Sequence, residues 1–310
     1  MPRELRATLL VNLAARRVPR DFNGAELLAH LANRGVHATC AMPESAAAAT
    51  VEARRSADRG DDLLFVVGGD GTVRDAALGL AGSETALAHV PAGTVNIWAK
   101  EAGIPRGIRK ALDAHIAGQS VHMDLGRAGD HCFLLMAGVG WDAEVANRVS
   151  GWLKKVTGDL AYVAQAAVMA PRLRPRVTRW STPSATSEES LAWMVLSNSR
   201  LYGGKVQLTP NAAVDDGHLD VLAFCPEKLT DTVRLAAKVV RGDREDPRML
   251  HLRESSLVIE TPGLPIQLDG DPIGETPMRF FADRGALLVS LPAGPLPPIF
   301  GRAHIDRRKP

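Results

Sequence analysis

The first third of the chain alternates apolar runs with amphipathic stretches, the pattern of repeated strand–helix pairs. Ala7 to Leu13 predicts a buried strand. Asp21 offers a cap for a helix whose Leu27, Leu28 and Leu31 share an apolar face, and Gly35 ends it. A short strand is predicted at Val36 to Cys40, then an Ala-rich helix from Glu44 to Arg59 closed by Gly60. Asp62 to Val67 holds five consecutive apolar residues and predicts a strand buried on both faces. A helix at Thr72 to Leu80, a strand at Ala86 to Val90 and a Pro-opened helix from Pro105 to Ala117 complete the series. Such repeats imply an α/β fold with a doubly wound parallel sheet.

The style changes after about Val121. Strands are predicted at Val121 to Arg127 and Cys132 to Ala137, and helices near Ala143 to Val149 and Asp159 to Met169. Short strands follow at Arg176 to Ser181, Leu191 to Ser197, His218 to Phe224, Ser255 to Glu260, Pro265 to Leu268, Met278 to Ala282 and Ala286 to Leu291. One helix, Lys228 to Val240, interrupts them. This pattern reads as a β-sandwich. The polar stretch Thr182 to Ser190 is expected to be a mobile loop. The Pro-rich basic tail from Pro292 is expected to be loose. The expected division is residues 1–122, 123–291 and 292–310.

Composition narrows the function. Of 310 residues, 45% are hydrophobic and 23% charged, the balance of a globular chain. Thirty-seven basic against 35 acidic residues give a net charge of +2, too even for a nucleic-acid binder on bulk charge. Cys40, Cys132 and Cys225 lie far apart and form neither a metal spacing nor a disulfide framework. No window approaches the ~18 apolar residues of a membrane span. A cytoplasmic protein, free to touch a membrane surface, is expected.

The sharpest motif is Gly68-Gly69-Asp70-Gly71-Thr72, between an apolar strand and a helix. Glycines there let phosphate approach backbone N–H groups at a helix start. Asp70 would repel phosphate unless a cation or a hydroxyl donor intervenes, so it points to Mg²⁺ or hydroxyl chemistry. The alternative is a turn in which Asp70 satisfies loop amides. A second loop, Pro91-Ala92-Gly93-Thr94-Val95-Asn96, follows the next strand and would lie beside the first in a parallel sheet. Thr94 and Asn96 add donors and acceptors.

With these loops in view, the chain resembles the diacylglycerol kinase catalytic-domain family, which includes soluble bacterial lipid kinases and sphingosine kinases. Val11-Asn12, Gly68 to Thr72 and Pro91 to Asn96 match its nucleotide blocks. Further matches are Met123-Asp124-Leu125-Gly126, Gly138 to Asp142, Asn198 to Gly204 with Pro210, Asp215 to Asp220, and Gln267 to Asp271. The order of so many blocks makes the resemblance specific. It implies a nucleotide-binding α/β domain followed by a β-sandwich, with the active site in the cleft between them. It implies transfer of the ATP γ-phosphoryl group to a lipid with a free hydroxyl. Asn12 and its neighbours, Gly68 to Arg74 (Gly68, Gly69, Asp70, Gly71, Thr72, Val73, Arg74), Thr94 and Asn96 would line the nucleotide site. Arg16 would reach phosphates and Thr39 would add a contact. Asp271 falls on the family's base position, with Asp269 and Asp70 as further catalytic acids. Asp70 and Asp124 are candidates to hold the catalytic Mg²⁺ through water, since Mg²⁺ keeps several waters. In the family a turn holds a structural Mg²⁺, here by Asp216 with the carbonyls of Ala213 and His218. The alternative is that Asp215 and Asp216 simply build a hairpin turn before Gly217.

The chain departs from the family at Leu13 (Pro in the family), Ile97 (often Asp), Arg74 (often Asn) and Asp271 (Glu). Two competing readings are an NAD kinase, which shares the glycine motif, and a non-catalytic lipid- or nucleotide-binding descendant. Arg172, Arg174, Arg176 and Arg179 are either a solvated face or a contact for anionic lipid heads. A homodimer is left open.

Overall fold

The computed structural model describes residues 4–140, 175–204, 206–228 and 241–301, together with 231, 234, 235 and 238. Contacts divide the chain into two units, Met1–Leu125 with Arg284–Pro310, and Gly126–Asp283. The chain therefore returns to the first unit after Asp283, where a purely sequential division had been expected.

In the first unit β1 (Leu5–Val11), β2 (Val36–Ala41), β3 (Leu63–Gly68) and β4 (Ala86–Pro91) form a parallel sheet in the order β2-β1-β3-β4. Every residue of β3 and β4 is buried, as the unbroken apolar run of β3 demands. The winding direction reverses between β1 and β3. Loops leaving these two strands therefore open at the switch point, where such sheets bind ligands.

The helices follow their caps. Helix α1 (Gly24–Ala32) starts at Asn23, whose side chain accepts from Ala25 N–H, and not at Asp21. Ser45 caps α2 (Ala46–Asp58) through Ala48 N–H. α2 and α3 (Asp70–Leu80) cross closely because Gly79 meets the Thr50 carbonyl; a Cβ there would lie 2.3 Å from that oxygen. A five-residue helix, α4 (Ile97–Glu101), was not foreseen. α5 (Ile108–Ile116) begins three residues after Pro105, because Gly107 takes φ 98 and breaks the predicted helix.

The second unit contains β7 (Met136–Gly140), β10 (Trp193–Ser197), β13 (Leu219–Phe224), β14 (Met249–Glu254), β16 (Pro265–Leu268) and β17 (Asp271–Glu275). They form an antiparallel sheet in the order β14-β13-β10-β7-β16-β17. A second antiparallel layer contains β8 (Arg176–Ser181), β9 (Thr186–Leu191) and β15 (Ser256–Ile259), with the start of β18 (Met278–Leu291). The end of β5 (Gln119–Ala128) pairs with β6 (His131–Phe133). The two faces share one core, with Phe133, Trp180, Leu257 and Phe280 from one and Val139, Met194, Leu196 and Ile266 from the other. This is the predicted β-sandwich. The remaining pair, β11 (Leu201–Tyr202) and β12 (Val206–Gln207), forms a small hairpin.

Several expectations change. Thr182 to Ser190 is not a loop: β9 pairs with β8 from Ser181↔Thr186, leaving a tight turn closed by Thr182 N–H to Ala185 O. The two late strands are one fourteen-residue strand, β18, whose far end pairs with β4 in the first unit. The start of the tail is packed, with Ile299 and Phe300 buried and Gln119 Nε2 donating to the Gly294 carbonyl at 2.7 Å. The helices expected near Ala143 and Asp159 lie outside the described residues, as do most of the Lys228 to Val240 helix and residues 302–310. Among the described residues, no helix is long and apolar enough to cross a membrane.

Candidate active site

The two glycine loops meet at the carboxyl end of the first-unit sheet. Gly68 is opposite Pro91 in the ladder, and its carbonyl accepts from Ala92 N–H at 2.9 Å and Gly93 N–H at 3.2 Å. Beyond this clasp the backbones touch. A Cβ on Gly93 would lie 2.6 Å from Gly69 Cα, and one on Gly69 would lie 3.3 Å from Gly93 Cα. Gly93 tolerates no side chain without parting the loops, and Gly69 has room for little more than a Cβ.

Asn12, just past β1, joins the same cluster. Its Nδ2 donates to Thr72 Oγ1 at 2.8 Å, its Oδ1 accepts from Ala14 N–H, and its own N–H bonds the Val67 carbonyl. Arg17 N–H bonds the Ala92 carbonyl at 2.9 Å, so the segment carrying exposed Arg16 and Arg17 is tied to the second loop. Thr94 is exposed at that loop's turn. Backbone amides, a hydroxyl and two cations are thus grouped where an anionic ligand can meet them.

Asp70 has a different role from the one expected. Its carboxylate accepts from Ile97 N–H at 2.9 Å and Trp98 N–H at 3.1 Å, capping α4 from across the loops. It satisfies amides, which is the alternative set out from the sequence, and both oxygens are engaged. Asn96 is buried and fully used within its loop. Its Oδ1 accepts from Gly93 N–H and its Nδ2 donates to the Gly93 carbonyl, with φ 53 placing it in the left-handed region. Val73 is fully buried in the core, so only its backbone can serve a ligand. Arg74 pairs with Asp75 at 3.2 Å. Thr39 is exposed on edge strand β2, 3.4 Å from Thr8 Oγ1. It lines a cavity of about 660 Å³ with Arg59 and Asp61, and no glycine-loop residue lines that cavity.

Asp124 does not fit a hydrated Mg²⁺. It is 1% exposed and accepts from Gly285 N–H at 2.8 Å, locking β5 to β18. Asp70 is half-buried and also caps α4, so of the two acids it is the one that water can reach.

In the second unit, Asp269 and Gly270 occupy a two-residue turn between β16 and β17, with φ of 51 and 89 at the two positions. Two positive φ values are what a type I′ hairpin requires. Asp269 turns its carboxylate back onto β7 and the residues before it, accepting from Leu134, Leu135 and Met136 N–H at 2.9 to 3.0 Å. The carboxylate thus braces the segment that leads into β7. Asp271 starts β17 and is exposed. Asp269 thus lies in the turn and Asp271 on the strand that follows it. Asp269→Asn would turn an amide donor toward these N–H groups. It should cost about 1–3 kcal/mol, seen as a lower melting temperature with unchanged Mg·ATP affinity.

Asp216 resembles the turn alternative. Its Oδ1 accepts from His218 N–H at 2.8 Å, and its Oδ2 receives Arg253 Nη2 at 2.6 Å. The guanidinium thus pairs with this carboxylate, and Ala213 is buried nearby in sequence. The cluster also contains Asp220, pushed up to about 6 by burial and by Asp216, with Arg253 and His218 opposing. Among the described residues, no group of three His, Cys, Asp or Glu side chains can hold a metal. Chelation with EDTA is expected to leave the melting temperature unchanged; a fall of several degrees would restore the metal reading of this turn.

Two members of the arginine run have partners on an exposed face. Arg176 bonds the Gly263 and Pro262 carbonyls, and Arg179 pairs with Glu260 at 3.0 Å. Arg172 and Arg174 lie outside the described residues.

Residues 6–128 match the diacylglycerol kinase catalytic domain, and residues 136–291 match the YegS C-terminal NAD kinase beta sandwich-like domain. A Pseudomonas putida protein named "Probable lipid kinase YegS-like" is 37% identical over 73% of this chain and 76% of its own length. The chain belongs to the diacylglycerol kinase and YegS-like lipid kinase family. The "Diacylglycerol kinase" of Bacillus subtilis is 28% identical over 89% of this chain and 92% of its own. The crystal structure of a diacylglycerol kinase from Bacillus anthracis overlays with a TM-score of 0.68 at 20% identity, covering 93% of this chain and 97% of that one. The family match covers both units, so the β-sandwich and the nucleotide-type sheet belong to one family architecture.

One polar residue beside the loops escaped the sequence reading. His89 lies inside β4 at 0% exposure, with Nε2 3.2 Å from the Gly68 carbonyl. The signal was available: an imidazole in the otherwise apolar run Ala86 to Pro91.

Proposed function

We propose that this family member transfers the γ-phosphoryl group of ATP to the hydroxyl of a lipid. The observation that carries the reading is the clasp of the two glycine loops beyond β3 and β4, Gly69 against Gly93, beside the sheet's switch point, in a chain of lipid kinase family. Backbone amides of Gly69 to Gly71 bind the phosphates, with Thr94 and the exposed Arg16 and Arg17 as further donors. Asn12 holds Thr72, and Asp70 holds α4, so both loops are fixed before the nucleotide arrives. Phosphoryl transfer depends on such positioning and on charge stabilisation more than on covalent catalysis.

The acceptor oxygen forms the new bond to the γ-phosphorus as the bond to the β,γ-bridging oxygen breaks, releasing ADP. Its proton passes to the Asp271 carboxylate. Mg²⁺ bound to ATP would neutralise charge on its phosphates. Asp271 is one methylene shorter than the family's Glu, which favours a close approach of the acceptor to β17. The relatives' names favour a lipid over NAD as acceptor. Release of ADP from Mg·ATP should depend on a hydroxyl lipid presented in detergent micelles. ADP release that needs NAD and ignores lipid would replace this reading with the NAD kinase alternative.

A further inference from the structure

Burying an imidazole in an apolar strand is costly unless its nitrogens are used. His89 sits fully buried in β4, and burial holds its pKa below the usual histidine value. Its Nε2 faces the Gly68 carbonyl at 3.2 Å. A carbonyl only accepts, so Nε2 carries the proton and Nδ1 is the bare nitrogen. Nδ1 has no hydrogen-bond partner. The tautomer is therefore chosen by the bond to Gly68, and the strand retains a half-satisfied polar group for the sake of that bond.

The backbone of His89 is held from the other side. His115 of α5 donates Nε2–H to the His89 carbonyl at 2.9 Å, while Ser290 of β18 lies 3.0 Å from His115 Nδ1. His115 is itself buried and pushed down to about 4, so it stays neutral in this role. A rigid chain of contacts thus runs from β18 through α5 and β4 to the first residue of the glycine motif.

Gly68 C=O and Gly69 N–H belong to one peptide. In a planar trans peptide they point in opposite directions. Three donors on the β4 side, Ala92 N–H, Gly93 N–H and His89 Nε2–H, hold the carbonyl. Gly69 N–H is then turned away from β4, at the start of α3.

We propose that His89 is a positioning residue for the nucleotide phosphates, holding the Gly68 carbonyl so that the Gly69 N–H faces them. This rests on the kinase reading above. The proposal accounts for an imidazole where an aliphatic residue would pack without an orphaned nitrogen. It acts through the peptide and touches no substrate atom.

Two variants separate positioning from packing. His89→Leu removes the donor and keeps an apolar strand; His89→Gln keeps an N–H donor at similar reach. Mg·ATP affinity is read by calorimetry without lipid, steady-state kinetics give KM and kcat, and amide hydrogen exchange at Gly69 and Asp70 is read without nucleotide. His89→Leu should weaken Mg·ATP binding about tenfold, raising KM while kcat stays near parental, and should speed exchange at Gly69. His89→Gln should recover most of both. Parental affinity and exchange in His89→Leu overturn the proposal. So do equal losses in both variants with lowered melting temperatures, which would mean that the ring only fills space. Intact nucleotide binding with no exchange pattern defeats the positioning role alone. A parent protein that binds no Mg·ATP, yet shows the exchange pattern, defeats the kinase reading and this phosphate role together.

Discussion

Gly69→Val is expected to weaken Mg·ATP binding by on the order of 100-fold while the fold survives. The cause is space and not backbone strain, since Gly69 has an ordinary φ of −99. Its Cβ would already sit 3.3 Å from Gly93 Cα, and valine adds two methyl groups beyond that point. Gly93 is held in place by its N–H, which bonds the Gly68 carbonyl at 3.2 Å and Asn96 Oδ1 at 2.9 Å. The loops must therefore separate by about an ångström, enough to misplace oriented phosphate donors. Gly69→Ala meets only the single tight contact and should lose much less. Calorimetry with Mg·ATP, beside a melting curve for each variant, reads the result. Parental affinity in a folded Gly69→Val would end the phosphate-loop reading.

Asp271→Asn is expected to lower kcat by about 10²–10⁴ and to leave Mg·ATP affinity within about twofold. The substitution keeps size and hydrogen-bonding capacity but removes the proton acceptor. Asp271→Glu should retain activity, since it restores the family residue. Asp269→Asn is the control with a different signature: its carboxylate braces Leu134 to Met136, so its loss should show first as lower stability. Asp70→Asn should likewise weaken the cap on α4, because only one of its two acceptor oxygens remains for Ile97 and Trp98. Lost nucleotide affinity with normal turnover at saturation in Asp271→Asn would remove the residue from the base role.

The legible parts of this chain were those with a local cause. The apolar run of β3 and the glycines after it located both the sheet and the loops, because burial on two faces and backbone approach leave marks in neighbouring residues. The partners of the acids were not legible because they are distant. Asp70 binds amides 27 and 28 residues away, Asp124 binds Gly285 across 161, and Asp269 binds Leu134 across 135. A carboxylate that caps a remote amide looks in sequence like one that holds a metal. Helix α4 escaped because its cap comes from Asp70 and not from its own N-cap residue, Asn96. Strand β9, Thr-Ser-Glu-Glu-Ser-Leu, is a largely exposed strand at the end of its sheet. It has little apolar periodicity to reveal it. Strand β17 starts at an Asp–Gly turn that was read as chemistry alone.

The most direct measurement of the central claim is transfer of labelled γ-phosphate from ATP to an extracted bacterial lipid pool, resolved by chromatography, with parent and Asp271→Asn side by side. The account predicts a labelled, organic-soluble lipid phosphate with the parent, reduced at least about 100-fold in Asp271→Asn. Label that stays wholly in the aqueous phase, or equal lipid labelling by both proteins, would contradict it.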